Sequence, residues 1–166
     1  MMVALPALRR LAPAFAAGMA LAFLLALAAL AQGLVFPALS GRVVDQANVL
    51  GEGTRDKIER VLAGHDAKTS DQIVVATVSS LQGTSIEDYA NGLFRQWKLG
   101  QAKTNNGVLL LVAPNEKKVR IEVGYGLEGQ LTDAVASMII QAALVPKFRA
   151  GDFAGGIEAA VEAIVS

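Results

Sequence analysis

Cysteine is absent from the 166 residues, which excludes disulfide staples, thiolate catalysis, iron–sulfur clusters and cysteine zinc sites. Histidine occurs once, at His65, so neither a histidine-rich metal centre nor a phosphatase mechanism using a pair of histidines is available. Charge of one sign is also missing, with 15 basic and 15 acidic side chains, and no basic field exists to hold nucleic acid. The sequence has neither an internal repeat nor a low-complexity tail.

One absence is local. No residue from Leu11 to Gly41 carries a charge; Arg9 and Arg10 precede this run, and Ala29-Leu30-Ala31 supplies the small-x-small pattern read by signal peptidase. Residues 1–31 are therefore expected to be a cleaved signal peptide or an uncleaved N-terminal membrane anchor, since the run can cross about 30 Å of hydrocarbon as a helix. Either alternative places the remainder outside the cytoplasm, in the periplasm or extracellular space. Cleavage would leave 13 of the 15 basic side chains against 15 acidic ones, a formal charge of −2, and a mature chain starting at Gln32. Residues 32–42, with Pro37 and Gly41, are expected to be a linker, and 43–166 a single domain.

The whole chain is 53% hydrophobic, and beyond the N-terminal run its apolar residues are organised in periods. Thr54 reads as a helix cap, followed by Ile58, Val61, Leu62 and His65 on one stripe and an end near Lys68. Gln72–Val78 is a short, mainly apolar run rich in β-branched residues, the pattern of a strand buried on both faces. Leu81–Ser85 is a turn. Ile86, Tyr89, Ala90, Leu93, Phe94 and Trp97 then form a broad helical stripe closed by Gly100, and a strand follows at Val108–Val112. Strand, helix, strand in this order predicts a right-handed crossover between parallel strands. After a turn at Pro114–Lys117, Val119–Val123 returns antiparallel. Two helices complete the chain, the first striped by Val135, Met138, Ile139 and Ala142, the second by Phe153, Ile157, Ala160, Val161 and Ile164 with Asp152 as cap. The expected fold is α/β: a three-layer α/β/α sandwich around a small mixed-direction sheet.

The segment R-I-E-V-G-Y-G-L-E-G, 120–129, contains G-x-G-x-x-G behind a strand. A dinucleotide site requires a following βαβ unit with an acidic residue at the end of its second strand, whereas here one helix leads to another, so no dinucleotide is expected. Gly124 and Gly126 instead mark a close backbone approach where the hairpin ends. The antiparallel pairing brings Asn105 and Asn106 beside Gly124–Glu128, with Asp133 close to the next helix start.

V-V-D-Q-A-N-V-L (43–50), Y-A-N-G-L-F-R-Q-W-K-L-G (89–100), N-N-G-V-L-L-L-V-A (105–113), R-I-E-V-G-Y-G-L-E-G (120–129) and L-T-D-A (131–134) together resemble the TPM domain family, in order and across nearly all of Val43–Val165. That family includes thylakoid-lumen proteins linked to photosystem II repair and many exported or membrane-tethered bacterial proteins. The resemblance implies a divalent-cation site, often for calcium, in an acidic cleft that falls on Asp45, Asn106, Glu128 and Asp133. Asn105 stands where members often carry an acidic residue. It implies further an accessory module acting on a membrane protein complex, or alternatively a metal-assisted acid phosphatase with Arg120 neutralising the phosphate. Oxygen donors of this kind suit calcium or magnesium.

Each candidate also has a plainer reading: Asp133 as a helix cap, Asp45 as acceptor for loop amides, Glu128 as a solvated carboxylate. His65 reads as structural, Tyr89, Phe94 and Trp97 as core, and Arg120 as cover for the sheet.

Overall fold

The computed structural model describes residues 33–166 together with Met19. The expected signal peptide or anchor at 1–31 lies, Met19 apart, outside the described residues, among which no helix is long and apolar enough to cross a membrane. Phe36–Ser166 forms a compact unit that holds the whole sheet.

Four strands form that sheet in the order β1-β2-β3-β4: β1 Val43–Asp45, β2 Gln72–Thr77, β3 Gly107–Ala113 and β4 Lys118–Val123. β1, β2 and β3 run parallel, and β4 pairs antiparallel with β3. β2 and β3 are buried almost throughout because both faces are covered, as their largely apolar runs require. β1 was not anticipated as a strand. With three residues it is too short to display a period, and its pairing with Val75–Thr77 defines it.

The rows across the sheet show what each face buries. Val43, Val75, Leu110 and Ile121 stand in register and point into a core closed by α1 (Glu52–Thr69) and the C-terminal helices. The alternate positions carry Ala76 and Leu111 towards α2 (Ile86–Gln96), which covers the opposite face with Tyr89, Ala90 and Leu93. This is the expected three-layer arrangement in one domain. Part of the stretch expected as linker is packed onto α2. The Phe36 ring meets Tyr89 edge-on at 5.0 Å, and Pro37 O accepts from Trp97 Nε1 at 2.9 Å. Gly92 permits this: a Cβ there would lie 2.7 Å from the Phe36 ring.

Several local expectations are corrected. α1 starts at Glu52 behind Gly51, so Thr54 lies inside the first turn rather than capping it. The chain just ahead is held by Asp45, whose carboxylate accepts from the Val49 and Leu50 amides and so sets the starting point. α2 ends with Lys98 in the left-handed region (φ 51°), two residues before Gly100. Gly100 serves instead for close approach, since a Cβ would sit 2.7 Å from Gly107 N.

The first C-terminal helix is broken: α3 (Asp133–Ile139) widens to a π-helical segment at Ile140–Leu144 and resumes as α4 (Val145–Arg149). Pro146 supplies no N–H for the α-helical bond to residue 142, and the Val145 amide bonds Ile140 O instead. The buried positions are Ala136, Ile139 and Leu144, the last step spanning the wider turn, while Met138 and Ala142 are exposed. Asp152 caps α5 (Phe153–Ile164) as expected, accepting from Gly155 N at 2.8 Å.

Candidate functional site

The hairpin pairing brings the strand ends together as the sequence implied. Gly124 N donates to Gly107 O at 2.7 Å and Gly126 N to Asn105 O at 3.1 Å. A Cβ at Gly124 or Gly126 would lie 2.2 Å from Asn105 O or 1.8 Å from Thr104 O, so the first two glycines of the motif are required by this backbone contact. Gly129 meets nothing within 4 Å.

The four candidate ligands do not form one group. Asp45 lies at the C-terminal end of β1 and is paired with Thr77, whereas Asn106 immediately precedes β3, whose first residue pairs with Gln72. They therefore sit at opposite ends of β2, about 17 Å apart for six extended residues. Both are already engaged. Asp45 Oδ1 takes the Val49 amide and the Thr77 hydroxyl, and Oδ2 takes the Leu50 amide at 2.8 Å. Asn106, 6% exposed, accepts at Oδ1 from Gln101 N and Thr104 Oγ1 and donates from Nδ2 to Ser70 O and Asp71 Oδ1. These are the bonds of two loop organisers.

Glu128 and Asp133 both line one cleft of about 360 Å³ beside the edge strand β4. Glu128 closes the 3₁₀ turn Tyr125–Leu127, and Asp133 is the first residue of α3. The cap of α3 is Thr132, which accepts from Val135 N at 3.2 Å, so Asp133 is not needed for capping. Neither carboxylate has a hydrogen-bond or ion-pair partner among the described residues, although both are exposed. Arg120 and Glu122 line the same cleft, two residues apart on one face of β4, joined Nε to Oε2 at 3.0 Å. In the sequence Glu122 carries no signal beyond its alternation with Ile121. Across the face, Asn91 Nδ2 donates to the other Glu122 oxygen at 3.4 Å.

Among the described residues no group of three or more acidic, histidine or cysteine side chains is placed to hold a metal ion. Two free carboxylates match in type a hard cation that keeps much of its water, and fall short of a closed protein cage.

The fold is thus an α/β/α sandwich with a cleft at its sheet edge that holds two unpartnered carboxylates, Glu128 and Asp133, beside the paired Glu122. The TPM domain family matches residues 43–166, and the chain belongs to that family. Among solved structures, the chain is similar to the N-terminal domain of a protein from P. gingivalis, at 35% identity and a TM-score of 0.71, covering 75% of this chain and 79% of that one. The N-terminal domain of the cg2496 protein from Corynebacterium glutamicum shares the fold at 20% identity and a TM-score of 0.60, covering 81% and 84%. So does the BA42 protein from Bizionia argentinensis, at 23% identity and a TM-score of 0.61, covering 70% and 79%. No curated protein matches the chain.

Proposed function

We propose that this TPM domain is an extracytoplasmic accessory module whose β4-edge cleft takes a hard divalent cation, calcium first and magnesium second, through Glu128 and Asp133. The observation that carries this reading is that these two carboxylates share one cleft and have no partner among the described residues. A site with two protein ligands leaves coordination positions for water and for donors of a second molecule. That chemistry suits a module that docks on a membrane protein complex, the role the family resemblance implies. Export is supported by Arg9, Arg10, the uncharged run behind them and Ala29-Leu30-Ala31.

The test is a thermal scan of residues 32–166 with calcium, magnesium or chelator. Calcium is expected to raise the melting temperature, and Glu128→Gln with Asp133→Asn to abolish the rise. An unchanged melting temperature at millimolar metal would sink the proposal.

A second reading, a metal-assisted phosphomonoesterase, draws on Arg120 in the same cleft. It ranks lower because Arg120 is already joined to Glu122. Turnover of a chromogenic phosphate ester that persists through two independent purifications and vanishes with Asp133→Ala would reverse the ranking.

A further inference from the structure

A second and larger cavity, about 910 Å³, opens beside α1 at the end of the sheet where β2 and β3 begin. Its floor is apolar, built from Val61, Ile73, Val108, Leu131 and Ile164. Its charged side chains are Arg60, Lys68 and Asp71, two cations against one side-chain carboxylate, with His65 facing that carboxylate and Ser166, the last residue of the sequence, also on the lining. His65 Nε2 stands 3.5 Å from Asp71 Oδ2, while Asp71 Oδ1 receives Asn106 Nδ2 at 3.3 Å, so Asp71 is held between two partners. Arg60 and Lys68 are different. Neither has a hydrogen-bond or ion-pair partner among the described residues, whereas Lys57 on the same helix is held by Glu158 and Glu162.

Between the two free cations lies Gly64, in the interior of α1 and on the cavity wall. Glycine weakens a helix interior, and no atom lies within 4 Å of where a Cβ would be, so nothing in the packing calls for it. Its effect is to lower the wall between Arg60 and Lys68 and bare the helix surface to whatever fills the cavity.

We infer that this cavity binds a small amphiphilic anion, with its apolar body on the Val61, Ile73 and Leu131 floor and its anionic head between Arg60 and Lys68 over Gly64. The volume is that of a small-molecule site, and an apolar floor with a few convergent polar groups is the usual construction of one. Two unpaired cations beside a single side-chain carboxylate that is already engaged favour a negative head group. This site is separate from the cation cleft, although Leu131 borders both.

The probes are decanoate, decyl phosphate and decanol, titrated into residues 32–166, which contain the whole compact unit and whose relatives fold as isolated domains in solution. His65 is the chain's single histidine, so its ring signals in NMR report on the cavity without ambiguity. Saturable shifts of His65 with an anion and not with decanol are expected, and the stronger of the two anions identifies the head group as carboxylate or phosphate. Arg60→Gln with Lys68→Gln should weaken binding about tenfold or more. Gly64→Ala should raise the melting temperature and weaken binding together, a combination that a purely structural glycine would not produce. Equal binding of decanol, indifference to the double substitution, or no saturable shift at millimolar anion would each overturn the inference.

Discussion

The carboxylate of Asp45 accepts the hydroxyl proton of Thr77 across the β1–β2 pair, and Thr77 Oγ1 in turn accepts from the Ala47 amide at 3.1 Å. With the Val49 and Leu50 amides on the same carboxylate, one side chain fixes the whole loop from β1 to α1. Removing it leaves the O–H of the fully buried Thr77 and two amides without an acceptor. Asp45→Ala is therefore expected to cost about 2–3 kcal/mol in urea unfolding, and to leave cation affinity unchanged in the folded protein. A fully stable variant without cation binding would place Asp45 in the site and not in the scaffold.

The glycine motif gives a position-specific prediction. Gly124→Ala and Gly126→Ala drive a Cβ into the 104–105 backbone and should destabilise by about 1–3 kcal/mol or more, whereas Gly129→Ala should be nearly neutral. Chemical denaturation of the three variants checks this order, and equal effects at all three positions would contradict the contact.

Much of this architecture was legible in the sequence because it is periodic. β2 and β3 are largely apolar runs, β4 alternates, and α2 carries a wide stripe, so the parallel crossover and antiparallel return followed from connectivity rules. What was hidden depends on contacts distant in sequence or on single backbone events. Three residues of β1 show no period, and without their pairing to Val75–Thr77 nothing revealed that Asp45 and Asn106 lie at opposite ends of β2. The π-helical segment at Ile140–Leu144 changes the phase of the stripe beyond Ile139, so that Leu144 is buried and Ala142 exposed, an outcome a uniform helical wheel cannot show. At the site, Glu128 and Asp133 were recognisable individually. Their companion Glu122 read as ordinary alternation on a strand.

Gly64 should respond in the opposite sense to the hairpin glycines. An alanine there meets open space and gains helix propensity, so Gly64→Ala is expected to stabilise by about 0.5–1 kcal/mol. Paired denaturation curves measure it, and destabilisation would mean that the helix surface at Gly64 is not free.

Alkaline pH should weaken the domain through Tyr89. Burial raises its phenol above the ordinary value of 10.0, against a smaller lowering by a hydrogen bond from Gln82. A raised acid binds its proton more tightly when folded, so its contribution is fully present below pH 10.0 and is lost as pH climbs through the folded value. Tyr89→Phe should flatten the fall in stability above pH 10.0. An alkaline limb identical in the two proteins would assign the loss to other groups.

The most direct test of the cation cleft is a calcium titration of residues 32–166 followed amide by amide in a two-dimensional NMR spectrum. Saturable shifts centred on Glu128, Leu131, Thr132 and Asp133 are predicted, with the Val49 and Leu50 amides unmoved and the response lost in Glu128→Gln with Asp133→Asn. Shifts centred on the Asp45–Leu50 loop, or none with either calcium or magnesium, would contradict the account.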